Sequence, residues 1–105
     1  MMKGYGIDLA VGYRERLKGL FAFSRQYQRT LLLMPCRGVH TLGMHRSLDI
    51  AFLNKDLAVI KVYRDVSPGR FLFCRGSYGV LERYSNTDTW FEAGETLDIR
   101  GFSLN

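Results

Sequence analysis

Hydrophobic positions along the chain follow two periods. From Tyr5 to Gly12 (YGIDLAVG) apolar residues alternate loosely and include Ile7, Leu9 and Val11, which predicts an opening strand. From Tyr13 to Ser24 the period lengthens. Leu17, Leu20 and Phe21 fall at helical spacing, with Arg14, Arg16 and Lys18 mostly off that stripe, so a short helix is expected, weakened at Gly19. Arg25 to Arg29 reads as a polar connection. Thr30 to Met34 (TLLLM) is a continuous apolar run, as in a strand covered on both faces, and Pro35 ends its pairing because it has no N–H to donate. The Cys36 to Ser47 stretch reads as a loop, with Gly38 and Gly43 permitting backbone shapes closed to other residues.

Leu48 to Leu53 is a core strand carrying one charge, Asp49. Asn54-Lys55-Asp56 is a polar turn, and Leu57 to Tyr63 (LAVIKVY) is the second arm of a hairpin. Further strands are expected at Phe71 to Phe73, Tyr78 to Tyr84 and Thr96 to Phe102, with Trp90-Phe91 as a large apolar anchor between the last two. Short, evenly spaced strands after one early helix predict a mainly β fold: a small sandwich or barrel-like domain with one short N-terminal helix.

Composition narrows this to a single globular domain spanning residues 1–105. At 47% hydrophobic and 13% aromatic the chain is too apolar for disorder. No proline- or serine-rich linker divides it, and no run approaches the roughly 18 apolar residues of a membrane span. The start has one Lys and an apolar piece broken by Gly6 and Asp8, unlike a secretory leader. A cytoplasmic protein without a cofactor is the expectation.

The net charge of +5 is uneven: residues 1–47 carry +6 and residues 48–105 carry −1. A basic half raises the question of nucleic acid. Its basic residues are spread singly, however, and aromatics do not alternate with them as on a stacking platform. Nucleic-acid binding through the N-terminal half is therefore an alternative, behind a solvated basic face. The two cysteines, Cys36 and Cys74, are too few for a disulfide framework and read as reduced thiols. Both open the tripeptide Cys-Arg-Gly, at 36–38 and 74–76, and the neighbouring arginine favours thiolate, which keeps a redox pair in view.

Most of the candidate chemistry lies between Met34 and Leu53. Cys36, His40 and Met44 are four apart, which places side chains on one face of a strand or a helix. With His45 they would make a soft set suited to copper, although the glycines disturb the spacing and a second ligand pair typical of zinc is missing. Packing of Cys36 and Met44 in the core, with His40 tied by a hydrogen bond, is the reading preferred here. Asp49 must be paired if buried. Arg46, Arg37 or His40 are the candidate partners, and the expected role is to hold the Gly43 loop through backbone N–H groups. The catalytic alternative couples His40, Asp49 and Glu82 as an acid/base centre. No nucleophile elbow, phosphate loop or dinucleotide fingerprint occurs. Trp90, Tyr78 and Tyr84 are candidates for lining a cleft, with Trp90-Phe91 as a core plug the competing role.

The order of motifs resembles the domain of unknown function 192 family. Its early Arg then Gly-Leu-Met helix looks like Arg16 to Phe21 here, with Phe21 where Met is usual. Its central segment looks like Thr41-Leu42-Gly43-Met44 leading to Leu48-Asp49-Ile50-Ala51-Phe52-Leu53, in the branch reading Cys-Arg-X-X-His-Thr-X-Gly-Met, present as Cys36 to Met44. Leu81-Glu82 and Gly94-Glu95 complete the pattern, with Glu95 where Asp is usual. The likeness runs from about residue 9 to residue 100. Where many members have a glycine shortly after Leu-Glu, this chain has Arg83-Tyr84-Ser85-Asn86, so a longer, differently shaped loop is expected there. The resemblance implies a compact, mainly β fold and no established activity.

These observations favour a non-enzymatic module with a pocket near the Cys36–Asp49 loop for a small ligand or protein partner. Its candidate lining is Cys36, Arg37, His40, Met44, Asp49, Glu82 and Trp90. The alternative is a small enzyme centred on His40, Asp49 and Glu82.

Overall fold

The computed structural model describes residues 7–11, 30–97 and 102–104, with side chains over 30–97. The helix expected at Tyr13 to Ser24 and the connection after it lie outside the described residues. The mainly β architecture is present, with eight strands among the described residues: β1 (Ile7–Val11), β2 (Thr30–Met34), β3 (Gly38–His40), β4 (Leu48–Leu53), β5 (Val59–Val66), β6 (Phe71–Phe73), β7 (Gly79–Tyr84) and β8 (Phe102–Leu104). Six of them form one sheet in the order β5-β4-β7-β2-β1-β8, and β3 pairs with β6 as a separate ribbon. Pairing is antiparallel from β5 through β4 and β7 to β2, then parallel from β2 to β1 and from β1 to β8.

Every residue of β4 and β7 is buried. Side chains alternate across a strand, so the sheet has two apolar faces. Leu31, Leu33, Leu48, Ile50, Phe52, Val80 and Tyr84 form one face, closed by Val39 and Leu72 from the ribbon. Leu32, Ala51, Leu53 and Leu81 form the other, closed by Trp90, Phe91 and Leu97. The result is a lopsided sandwich: a small ribbon on one face, a C-terminal segment on the other.

The expected hairpin is β4–β5, its second arm starting two residues and ending three residues later than expected. Asn54 makes its turn: its side-chain Oδ1 accepts the N–H groups of Asp56 and Ala58, at 2.9 and 3.0 Å. Two expectations need correction. The stretch after Cys36 is not all loop, because Gly38–His40 is a strand. Three residues around a glycine carry too little periodicity to announce it. The closing strand does not begin at Thr96, which makes an isolated bridge with Ala58; β8 begins at Phe102.

Candidate functional site

Asp49 is fully buried in the middle of the sheet, on the face shared with Ala51 and Leu53. Its partners are not those expected. Arg83, directly opposite on β7, donates from Nε to Oδ2 at 2.9 Å. Arg64 approaches Oδ1 at 3.1 Å, and the Ser85 hydroxyl and Asp65 N–H donate to the same oxygen. The pairing of β4 with β5 explains this. Between the Leu48–Val66 and Ile50–Tyr63 pairs, β5 has one residue too many, and this bulge sets Arg64 and Asp65 against Asp49. Asp65 there adopts φ +57°. Burial is the largest single influence on the Asp49 carboxyl and pushes its pKa up, but the Asp65, Arg83, Arg64 and Ser85 bonds together hold it below the ordinary value of 3.8.

Asp49 therefore secures a bulge, not the Gly43 loop. That loop is fixed by Thr41, whose hydroxyl donates to the Ser67 carbonyl and accepts from the Arg70 N–H, both at 2.8 Å. Arg46 lies 4.6 Å over the Tyr84 ring and Arg37 is exposed at the surface.

The trio His40, Asp49 and Glu82 is not assembled. Glu82, one residue before Arg83, points to the opposite face of the sheet, where it sits in register with Leu31 and Ile50. Asp49 and Glu82 are thus separated by the sheet itself. His40 ends β3 opposite Phe71, with ring centroids 5.9 Å apart. Its Nδ1 is buried with no hydrogen-bond partner, so the expected tie is missing. Trp90 is a core plug: its Nε1 donates to the Ile50 carbonyl at 3.3 Å and Arg83 covers its ring at 4.5 Å. Tyr84 is buried as well.

Cys36 and Met44 pack against the first core cluster, His40 lies on the ribbon and His45 is exposed. Among the described residues no three His, Cys, Asp or Glu side chains converge as a metal site. Cys36 and Cys74 are not joined in a disulfide, and the Cys36 thiol donates to the Gly38 carbonyl at 3.0 Å.

What the fold does bring together is the pair of Cys-Arg-Gly tripeptides. The Gly38–Phe73 register places Cys36–Gly38 beside Cys74–Gly76, and the Cys74 N–H donates to the Arg37 carbonyl at 3.0 Å. Buried Ser77 locks them: its hydroxyl lies 2.8 Å from the Cys36 carbonyl and 3.1 Å from that of Gly79. The Cys36 N–H donates to the Tyr78 carbonyl at 2.8 Å. Between these segments lies a groove of about 810 Å³. Arg37, Lys55 and Arg75 supply three cations, Phe73 and Tyr78 supply rings, and among the described residues no carboxylate lines it. Of the expected lining residues, Cys36 and Arg37 border this groove. Lys55, Phe73 and Arg75 were missed, although the repeated tripeptide was the visible sign of one wall facing the other.

No family model matches the chain, and no curated protein does. Two solved structures resemble it. One is a protein of unknown function from Novosphingobium aromaticivorans, 22% identical, with a TM-score of 0.63, matched over 77% of this chain and 64% of that one. This chain therefore spans less than two thirds of that protein. The other is a "putative transcription regulator" from Sinorhizobium meliloti, 21% identical, with a TM-score of 0.60, matched over 75% of this chain and 67% of that one. At these identities the likeness establishes a shared fold.

Proposed function

We propose that this protein is a non-enzymatic binding module whose groove between the two Cys-Arg-Gly segments takes an anionic ligand. One observation carries the reading: Arg37, Lys55 and Arg75 converge on one groove, with no carboxylate among its described lining residues. Like charges held together repel, and an anion relieves that repulsion while receiving charge-assisted hydrogen bonds. The walls are preorganised, because Ser77 and the Cys36–Tyr78 backbone bond fix the arginine-bearing turns before any ligand arrives. A binding role is preferred to catalysis because the acid/base trio is divided between the two faces of the sheet.

The chain is placed by the same proposal in the domain of unknown function 192 family, supported by the Cys36 to Leu53 segment. The family adds no activity to the reading. A reducing, cytoplasmic setting is part of the proposal, supported by a cysteine count of two, too few for a disulfide framework. Among the described residues no helix is long and apolar enough to cross a membrane.

Calorimetric titration with pyrophosphate tests the groove. Binding is expected to weaken roughly ten-fold in Arg37→Ala and in Arg75→Ala, the usual scale for losing one charge-assisted contact. Lys61→Ala, on exposed β5 outside the groove, should leave it unchanged. Equal losses in all three variants would mean diffuse charge attraction and would end the proposal.

A further inference from the structure

The groove does not end at its cationic walls. Phe73, which borders it, belongs to β6, and on the outward face of that strand Phe71 and Phe73 stand 71% and 69% exposed. Two phenyl rings this open on one short strand are costly to leave in water, since each fully buried ring would contribute favourably to a core or an interface. They are not misplaced core residues. Leu72 between them packs inward against the first core cluster, so the alternation of the strand sends both rings out. Residues two apart on a strand lie about 7 Å from each other on the same face. His40, opposite Phe71, adds a third ring to that face. Phe73 lies beside Gly38, with its Cδ1 at ordinary contact distance, 3.5 Å, from where a Cβ would stand.

Basic residues bracket the rings. The chain reads Arg70-Phe71-Leu72-Phe73-Cys74-Arg75, and Arg37 joins from the facing segment across the groove. Rings spaced along an open strand, continuous with a groove lined by three cations, suit a ligand with flat faces at intervals and phosphates beside them. A single nucleic-acid strand has that chemistry. A duplex does not, because its bases are stacked on one another and closed to side-chain rings.

We infer that the outward face of the β3–β6 ribbon is a single-stranded nucleic-acid platform, with bases stacked on Phe71 and Phe73 and phosphates held by Arg37, Lys55 and Arg75. This deepens the anion-groove proposal and rests on it. The sequence misleads here because attention goes to the basic first half. The arginines that bracket an aromatic pair are in the second half, where the net charge is slightly negative.

The test is fluorescence anisotropy with a labelled twelve-nucleotide oligothymidine and a hairpin duplex of equal charge, beside the pyrophosphate titration. The single strand is expected to bind more tightly than the duplex, with log K against log salt falling at a slope near −2, as for about three phosphate contacts. Replacing Phe71, the ring that does not line the groove (Phe71→Ser), should weaken oligonucleotide binding by roughly 10-fold and leave pyrophosphate binding and the salt slope unchanged. Its side chain is solvent-facing, so the variant folds, and its melting temperature checks that. Equal binding of duplex and single strand, or indifference to loss of the Phe71 ring, overturns the platform; in the second case the rings serve a protein partner instead. If the oligonucleotide fails while pyrophosphate still binds through Arg37 and Arg75, the platform falls and the anion groove stands. If neither binds, both fall.

Discussion

Asp49 illustrates how a side chain's address determines its work. A carboxylate in an apolar strand must be compensated, and that much follows from the sequence. Which residues compensate it does not, because the answer depends on a bulge in β5 and on the register of β7. Arg83 and Ser85, two residues apart at the end of β7, supply two of the four groups bound to Asp49. Arg83→Met leaves that carboxylate buried with part of its compensation gone, and unfolding by urea should show a loss of about 3–5 kcal/mol. The pH dependence has a definite sign. The folded-state pKa of Asp49 is depressed, so its contribution is fully present above about pH 4 and is lost as pH falls below that through the folded value. The stability gap between the wild type and Asp49→Asn should therefore be constant from pH 7 to about pH 4 and narrow below it. A gap that widened on acidification would contradict this network.

At the scale of elements, long apolar runs were legible and short strands were not. Thr30 to Met34 and Leu48 to Leu53 are β2 and β4 residue for residue, since each is a buried strand with polar punctuation on both sides. Phe71–Phe73 was also readable, as three residues between turns. Its partner β3 was hidden because Gly38 contributes no side chain to a pattern and His40 reads as polar. The ribbon depends on that glycine. An added Cβ at Gly38 would come 2.9 Å from the Leu72 carbonyl oxygen, and backbone cannot swing aside. Gly38→Ala should cost about 1–3 kcal/mol, as overpacking does, and should lower the thermal midpoint. Phe73→Ser, by contrast, should change stability by about 0.5 kcal/mol or less, since the ring is mostly in solvent. Equal losses in the two variants would mean that Phe73 is a structural residue of the ribbon.

For the whole molecule, the class of fold was legible and the site was mostly not. Alternation, turn spacing and composition are local properties, and together they restrict the chain to a mainly β domain. A site is a convergence of residues from different elements, and only topology makes it. The candidate trio failed for that reason: Asp49 and Glu82 are compatible in chemistry but lie back to back across one sheet. The groove was missed for the same reason, since Arg37, Lys55 and Arg75 come from three separate turns. In the proposed groove, the guanidinium between Cys and Gly, present twice, carries the reading that thiol and imidazole were expected to carry.

The most direct test is to locate the anion on the molecule. In a titration of the isotope-labelled protein with pyrophosphate, followed through its backbone amide resonances, the largest shifts should fall in Cys36–Gly38, Cys74–Tyr78 and Lys55. The ribbon's far end and the Asp49 network should remain still. Shifts spread evenly over exposed lysines and arginines, or centred away from the two Cys-Arg-Gly segments, would contradict the groove as the binding site.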